Sequence, residues 1–347
     1  MSHWAPFIIS AATSAMVALP LAPALIELRR RRDALPLVSR TDDGKIDNFA
    51  QSMRDYLAPV VTHHNDQPST VKMDGVLRDG AQAIVISTAV VCDLPGTPLD
   101  VVAYVPQSVA FPFPLCFLRE LYVRGNLRVA AHSLLRTVLV EGDATLGEGT
   151  AVVRWIHAGG SLEAGAKARL LGRASAGGDV RLHGGCEFQR VNGRKIQGGA
   201  GELRTLERSS MKAISSSIEL GSGRLRSQGD FHLGDGDSVQ GNIIGRRRVK
   251  IGQDVRVLGS VKAKSDMEIA SGTDIEGAIV SGGHVRIGRG CFVRGPVLSE
   301  GEVVIAAGTQ IGSLKHPTTV SAPRIRLASG ATVCGTIWAR ESGEVTA

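Results

Sequence analysis

Aliphatic positions alternate with polar positions in short runs in the last third of the chain, and the runs recur at a fixed step. They begin at Phe231, Val249, Met267, Val285, Val303 and Ile325. The first four steps are 18 residues and the last is 22. Alternation over three to five positions predicts a strand with one buried face. Because a single coil cannot bury that face alone, the segment 231–340 is predicted to stack into a parallel β-helix of about 18-residue coils.

Glycine recurs at one point of these coils, at Gly259, Gly277, Gly295 and Gly335. Glycine adopts positive φ without a steric penalty, so this position is predicted to be a turn where the strand changes direction.

Weaker repeats precede the regular ones. Residues 75–191 carry glycines near the same period, at Gly125, Gly142, Gly160 and Gly178. They are predicted to form a first, less regular β-helix block. Residues 192–230 are polar, basic and rich in Gly and Ser, which predicts either an excursion from the wall or a hinge between two half-solenoids.

The front of the chain contains 23 uncharged residues, from Trp4 to Ile26. This length predicts a transmembrane helix over residues 4–28. A cleaved signal peptide is the alternative, but the first three residues carry no Lys or Arg. Four arginines follow the apolar run: Arg29, Arg30, Arg31 and Arg32. Positive charge stays on the cytoplasmic side, which predicts an uncleaved single-pass anchor, an outward N-terminus and a cytoplasmic β-helix.

A short amphipathic helix is predicted over residues 43–58, followed by a linker to residue 74. Its apolar residues recur at helical spacing: Ile46, Phe49, Met53, Tyr56 and Leu57. Asp47 is the expected cap and Pro59 the expected end. The helix is predicted either to lie on the membrane surface or to cover the open end of the following fold.

Composition supports an aliphatic β-fold and gives little sign of chemistry. Hydrophobic residues make up 43% of the chain, aromatic residues only 4%, and there are 42 glycines. The net charge of +7 comes largely from the four clustered arginines, so no nucleic-acid partner is predicted. The five cysteines are widely spaced, which favours reduced thiols in the cytosol. The pattern predicts no catalytic residue, no cofactor and no metal site.

The coil V-x-I-x-x-x-x-x-V-x-G-x-V/I and the closing unit APRIRLASGATVCGTIWA resemble the bactofilin family of polymer-forming bacterial cytoskeletal proteins. The resemblance covers residues 231–340. It implies a right-handed parallel β-helix that polymerises end to end without nucleotide and sits on the inner membrane. It also implies a platform for cell-shape, cell-wall or envelope-polysaccharide machinery.

A self-assembly interface is predicted at the last coil. After that coil only RESGEVTA remains, which is too short and polar to cover the coil's apolar residues. An uncovered coil exposes a dry core and unpaired backbone groups, so it is expected to bind a second copy as a dimer or a filament. The predicted interface consists of Ile325, Leu327, Val333, Ile337 and Trp338.

Two enzyme classes are the alternatives to a scaffold. Aliphatic residues six apart are also typical of hexapeptide-repeat acyltransferases, which form left-handed β-helices; His284 is the candidate general base. A polysaccharide-active β-helix would use a row of carboxylates, available at Asp235, Asp237, Asp254, Asp274 and Glu276. The favoured prediction is a non-enzymatic scaffold, anchored in the bacterial inner membrane, that localises envelope-biosynthesis proteins.

Overall fold

The chain divides into two compact units, Met1–Lys45 and Ile46–Ala347. The computed structural model describes residues 13, 16, 48–66, 75–77, 80–86, 98–199, 217–218 and 224–346. The predicted transmembrane segment and the four arginines therefore lie almost wholly outside the described residues. Within the described ranges, no helix is long and apolar enough to cross a membrane.

The described part of the second unit contains one helix and 31 strands. Helix α1 spans Asn48–Asp66. Strands β1 to β13 are Gly75–Val76, Gln82–Val85, Val102–Val105, Val109–Phe111, Cys116–Val123, Leu127–Val129, Leu134–Val140, Ala144–Leu146, Ala151–Ala158, Leu162–Ala164, Arg169–Ala176, Asp179–Leu182 and Glu187–Gly198. Strands β14 to β31 are Ser217–Ile218, Arg224–Ser227, Phe231–Leu233, Ser238–Val239, Asn242–Gly245, Val249–Ile251, Arg256–Val257, Val261–Ala263, Met267–Ile269, Asp274–Ile275, Ile279–Ser281, Val285–Ile287, Phe292–Val293, Val297–Ser299, Glu302–Ile305, Gln310–Ile311, Thr318–Ala328 and Thr332–Thr346.

The predicted β-helix is confirmed as a β-solenoid of about 13 turns. In its second part, as far as β29, each coil contributes three short strands, and each strand pairs in parallel with the strand one coil later. The last coils are formed by the long strands β30 and β31, each of which covers more than one wall. Phe231 pairs with Val249, Val249 with Met267, and Met267 with Val285. The register is 18 residues because that step returns an aliphatic side chain to the same interior column.

The first part is also a parallel solenoid, built from longer strands. Strands β3, β5, β7, β9, β11 and β13 stack in one series, and β4, β6, β8, β10 and β12 in another. Register shifts inside β5 and β7 let a single strand cover two sides of a coil. This solenoid extends beyond the predicted boundary at residue 191, because β13 continues to Gly198. The predicted insert is correspondingly shorter, since β15 also lies within it.

The recurring glycines of the regular coils do lie where the strand changes direction, as predicted. The predicted reason, a positive φ, is wrong for most of them. Gly277 is not in the left-handed region; a Cβ there would lie 2.5 Å from the backbone carbonyl carbon of Gly259, one coil earlier. Glycine is needed because the two backbones approach closely. Positive φ occurs instead at another corner, for example at Gly272 and Gly290. Gly335 is the exception, with φ of 118°.

Helix α1 extends further than predicted at its far end and packs in a different place, while residues 43–47, with the expected cap Asp47, lie outside the described residues. It continues through Pro59 to Asp66, because the apolar spacing also continues: Ala50, Met53, Leu57 and Val60 are all buried. These side chains pack against the outer wall of the first solenoid, on residues such as Tyr104 and Leu139. The helix therefore covers the side of the first solenoid across several coils.

The two solenoids meet through their last coils. Strand β13, which ends the first solenoid, pairs antiparallel with β31, which ends the second. The interior residues on both sides of this junction belong to one continuous buried cluster, from Ile86 to Val345. The chain thus forms one core out of two solenoids that face each other tail to tail.

Candidate functional site: the solenoid ends and outer walls

The residues of the predicted self-assembly interface lie at this junction. Ile325, Leu327, Val333 and Ile337 are at most 1% exposed. Val333 pairs with Ile196 and Ile337 with Val191. The premise that nothing in the chain covers the last coil is therefore wrong, because β13 of the same chain lies against it.

The signal for this pairing is weak in the sequence. Residues 192–198 form more than half of the covering strand, yet their polar and glycine-rich composition predicts an excursion or a hinge. The amide Nδ2 of Asn192 donates to Oγ1 of Thr336 at 2.8 Å, a contact between residues 144 positions apart. Because no periodicity links the two segments, only the three-dimensional packing identifies the contact.

The opposite end of the second solenoid has a different character. Strands β14, β15 and β16 form its first coil, and within the described residues each pairs only with the strand that follows one coil later. Leu225 and Phe231 belong to the interior columns but remain partly exposed. One coil later, their partners Ile243 and Val249 are at most 1% exposed. The first coil is thus the less protected end.

A polar network fastens helix α1 to the first solenoid. Nε and Nη2 of Arg54 donate to the two carboxylate oxygens of Glu141, at 2.7 and 2.8 Å. The Tyr122 hydroxyl donates to Oε1 of the same carboxylate at 2.9 Å. The ring of Phe49 contacts Trp155 at the start of the helix. A bidentate ion pair of this kind fixes the orientation of the helix on the wall and also stabilises the contact.

The network shifts two ionisations in opposite directions. Hydrogen bonds from Arg54 hold the pKa of Glu141 below its ordinary value. Burial, together with the hydrogen bond to Glu141, raises the pKa of Tyr122 to about 12. The Glu141 contribution to stability is present above the unfolded pKa of about 4.3 and is lost as the pH falls through the folded value. The Tyr122 contribution is present below about pH 10 and is lost as the pH rises through about 12.

Replacement of Arg54 by Met is expected to weaken the docking of helix α1 by about 1–3 kcal/mol, because Glu141 loses its charged partner. The variant should release α1 to protease at neutral pH and red-shift the emission of Trp155. Wild-type protein should show the same change only on acidification. Arg169→Ala is the matched control, since its ion pair with Glu187 is more than half exposed. Equal protease resistance of the Arg54→Met variant and wild type would contradict this role.

A buried polar pair continues along the same wall. Nδ1 of His157 lies 2.8 Å from Oγ of Ser175, and both side chains are buried. They occupy one column with Leu139 before them and Asn192 after them. The pair satisfies two polar groups that the packing removes from water.

A second wall of the first solenoid carries a polar groove of about 330 Å³. Its lining comprises Asp143, Ala144, Thr145, Ser161, Leu162, Glu163, Asp179, Val180, Arg181, Lys195 and Gln197. Some of these polar side chains bind backbone groups of the coils: Oδ1 of Asp143 accepts the N–H of Ser161 at 2.7 Å. Lys195 is 93% removed from solvent, and that burial lowers its pKa. The mixed charges of the lining favour no single ligand class.

The candidate residues of the two enzyme alternatives make local contacts. Nδ1 of His284 accepts the N–H of Glu302 at 3.0 Å in an exposed turn. Asp235 accepts the N–H of Gln253 at 2.7 Å, and Asp237 that of Gly234 at 2.9 Å. These are the backbone roles that Asp commonly has in turns. Asp235 and Asp237 therefore stabilise corners of the coil, whereas Glu276 forms ion pairs with Arg256 and Arg294.

Four cysteines fall in the described ranges, and all are free thiols. Burial raises the pKa of Cys186 and of Cys291 to about 11, so both remain protonated at neutral pH. The described residues contain no group of three or more His, Cys, Asp or Glu side chains placed to hold a metal ion.

No known family model, curated protein or solved structure matches the chain. The resemblance to bactofilins therefore rests on the coil residues themselves.

Proposed function

We propose that this protein is a membrane-anchored scaffold that self-assembles through a solenoid end and localises cell-envelope machinery. The proposal combines the bactofilin-like coils at residues 231–340 with the regular solenoid that these coils form. The predicted N-terminal span and the arginines at 29–32 would hold the solenoid on the cytoplasmic side of the bacterial inner membrane. The scaffold is proposed to have no active site, and its clients are wall or polysaccharide biosynthesis proteins.

The exposed first coil of the second solenoid is the observation that carries this proposal. Its strand β15 has an edge without a neighbour among the described residues, and Leu225 and Phe231 are partly exposed there. A second copy bound at this end would cover both side chains and pair the edge. The proposed contact therefore moves from the last coil, which β13 covers, to the first.

The hydrogen bond that His284 accepts from the backbone favours the scaffold over the acyltransferase alternative. Its Nδ1 is already hydrogen-bonded to a backbone N–H, and the residue lies in a turn of the coil. Because Nδ1 accepts that hydrogen bond, the neutral ring carries its proton on Nε2, and neither ring nitrogen offers a free lone pair to a substrate proton.

The Leu225→Arg substitution tests this assembly contact. The full chain in detergent is expected to form dimers or filaments by light scattering and electron microscopy, and Leu225→Arg to reduce the assembled mass at least to half. Leu258→Arg is the control, because Leu258 is 43% exposed on the side of the solenoid. An unchanged mass for Leu225→Arg, or a wild-type chain that stays monomeric at high concentration, would reject this contact.

A further inference from the structure

The second solenoid has three outer walls, and two of them carry ion pairs between neighbouring strands. On the wall formed by β16, β19, β22, β25 and β28, Lys250 pairs with Glu268 at 3.3 Å. On the wall formed by β17, β20, β23, β26 and β29, Glu276 pairs with both Arg256 and Arg294. Opposite charges on adjacent strands compensate each other, as expected for walls that face water.

The third wall has a different composition. It is formed by β15, β18, β21, β24, β27 and the first halves of β30 and β31. Its outward residues stand in register in one column, which comprises Arg226, Ile244, Lys262, Val280, Leu298, Ser321 and Trp338. Leu298 is 40% exposed and Trp338 45%. We refer to this column and its edge residues Arg246 and Lys264 as the basic–apolar wall.

Positive charge on the basic–apolar wall is uncompensated. Arg226, Arg246, Lys262 and Lys264 are exposed and form no ion pair within the described residues. The carboxylate of Glu300 at this edge is already bound by Nη2 of Arg340 at 2.8 Å. An anionic partner would therefore meet several free cations and no free carboxylate along this column.

We infer that the basic–apolar wall lies against a membrane surface that contains anionic phospholipid, an inference that rests on the proposed membrane scaffold. Seven stacked strands give the wall a length of roughly 30 Å, which suits an extended planar partner. Lysine and arginine bind lipid phosphates, while leucine and valine reach the boundary of the acyl chains. Tryptophan favours this interface because its ring is amphipathic. The guanidinium carbon of Arg190 lies 5.4 Å from the Trp338 ring centre and adds a further cation there.

Trp338 itself provides the readout. The chain has three tryptophans, so the substitutions Trp4→Phe and Trp155→Phe leave Trp338 as the only one. The full chain is incubated with vesicles of phosphatidylcholine, with or without phosphatidylglycerol, whose acyl chains carry bromine. We expect bromine to quench Trp338 in the anionic vesicles, and the quenching to decline as salt screens the charges.

The double substitution Lys262→Glu and Lys264→Glu is expected to lower the quenched fraction about tenfold or more. Arg286→Glu is the control, because Arg286 is also exposed but lies on a different wall. It should retain wild-type quenching. Circular dichroism of all variants checks that the exposed substitutions leave the solenoid folded.

The outcomes separate this inference from the proposed scaffold. A chain that floats with anionic vesicles while Trp338 stays unquenched overturns the wall's role and leaves the anchored scaffold intact. Quenching together with a monomeric chain rejects the scaffold and supports the wall. A blue shift of Trp338 that depends on protein concentration without lipid overturns the inference, because a second copy then covers the wall.

Discussion

Aspartate in place of Ile337 is expected to open the junction between the two solenoids and to lower the free energy of unfolding by at least about 4 kcal/mol. Ile337 is fully buried and pairs with Val191 across the antiparallel contact of β13 and β31. The substitution removes an aliphatic side chain from a continuous core and places a carboxylate there. Amide hydrogen exchange should rise in both strands together, because each protects the other's edge.

The neighbouring residue supplies the control for this experiment. Trp338 is adjacent in sequence but lies on the outer face, where the Arg190 guanidinium stacks on its ring. Trp338→Asp should cost only about 1 kcal/mol, the value of an exposed cation–π contact. If Ile337→Asp leaves exchange in β13 unchanged, the two solenoids are not joined in solution.

Alanine in place of Gly277 is expected to destabilise the second solenoid by about 1–3 kcal/mol or more. The new Cβ would lie 2.5 Å from the backbone nitrogen of Ser260 in the preceding coil. Backbone cannot rotate away as a side chain can, so the two coils must separate locally. Chemical denaturation followed by circular dichroism measures the loss.

Gly229 is the matched glycine for this substitution. A Cβ there would meet nothing within 4 Å, and its φ is outside the left-handed region. Gly229→Ala should therefore be neutral or slightly stabilising, since alanine restricts the unfolded chain. If both variants lost the same free energy of unfolding, close contact between coils would not explain why glycine recurs at Gly259, Gly277 and Gly295.

The regular coils could be predicted because their information is local and repeated. Each column, such as Val249, Met267 and Val285, is specified by an aliphatic residue at a constant step, and the observed register follows it. Helix α1 was predicted by the same kind of periodicity. Pro59 predicts an end to the helix, but the helix continues because Val60 beyond it is buried against the solenoid.

The closed end of the second solenoid could not be predicted in this way. Its covering strand depends on contacts such as Asn192 with Thr336, between segments with no common pattern. The docking of α1 on the wall likewise depends on Arg54 meeting Glu141, 87 positions away. Such contacts are specified by how the coils stack, and no single stretch of sequence contains that geometry.

The tail-to-tail arrangement has a consequence for polarity. The last coils of the two solenoids meet inside each molecule. Each end of the molecule is therefore the first coil of one of the two solenoids. In a fibre, the first coil of each solenoid could bind the same coil of a neighbouring molecule through a two-fold contact. Such a fibre would be non-polar, with no plus or minus end. A client travelling along it would encounter the same sequence of surfaces either way.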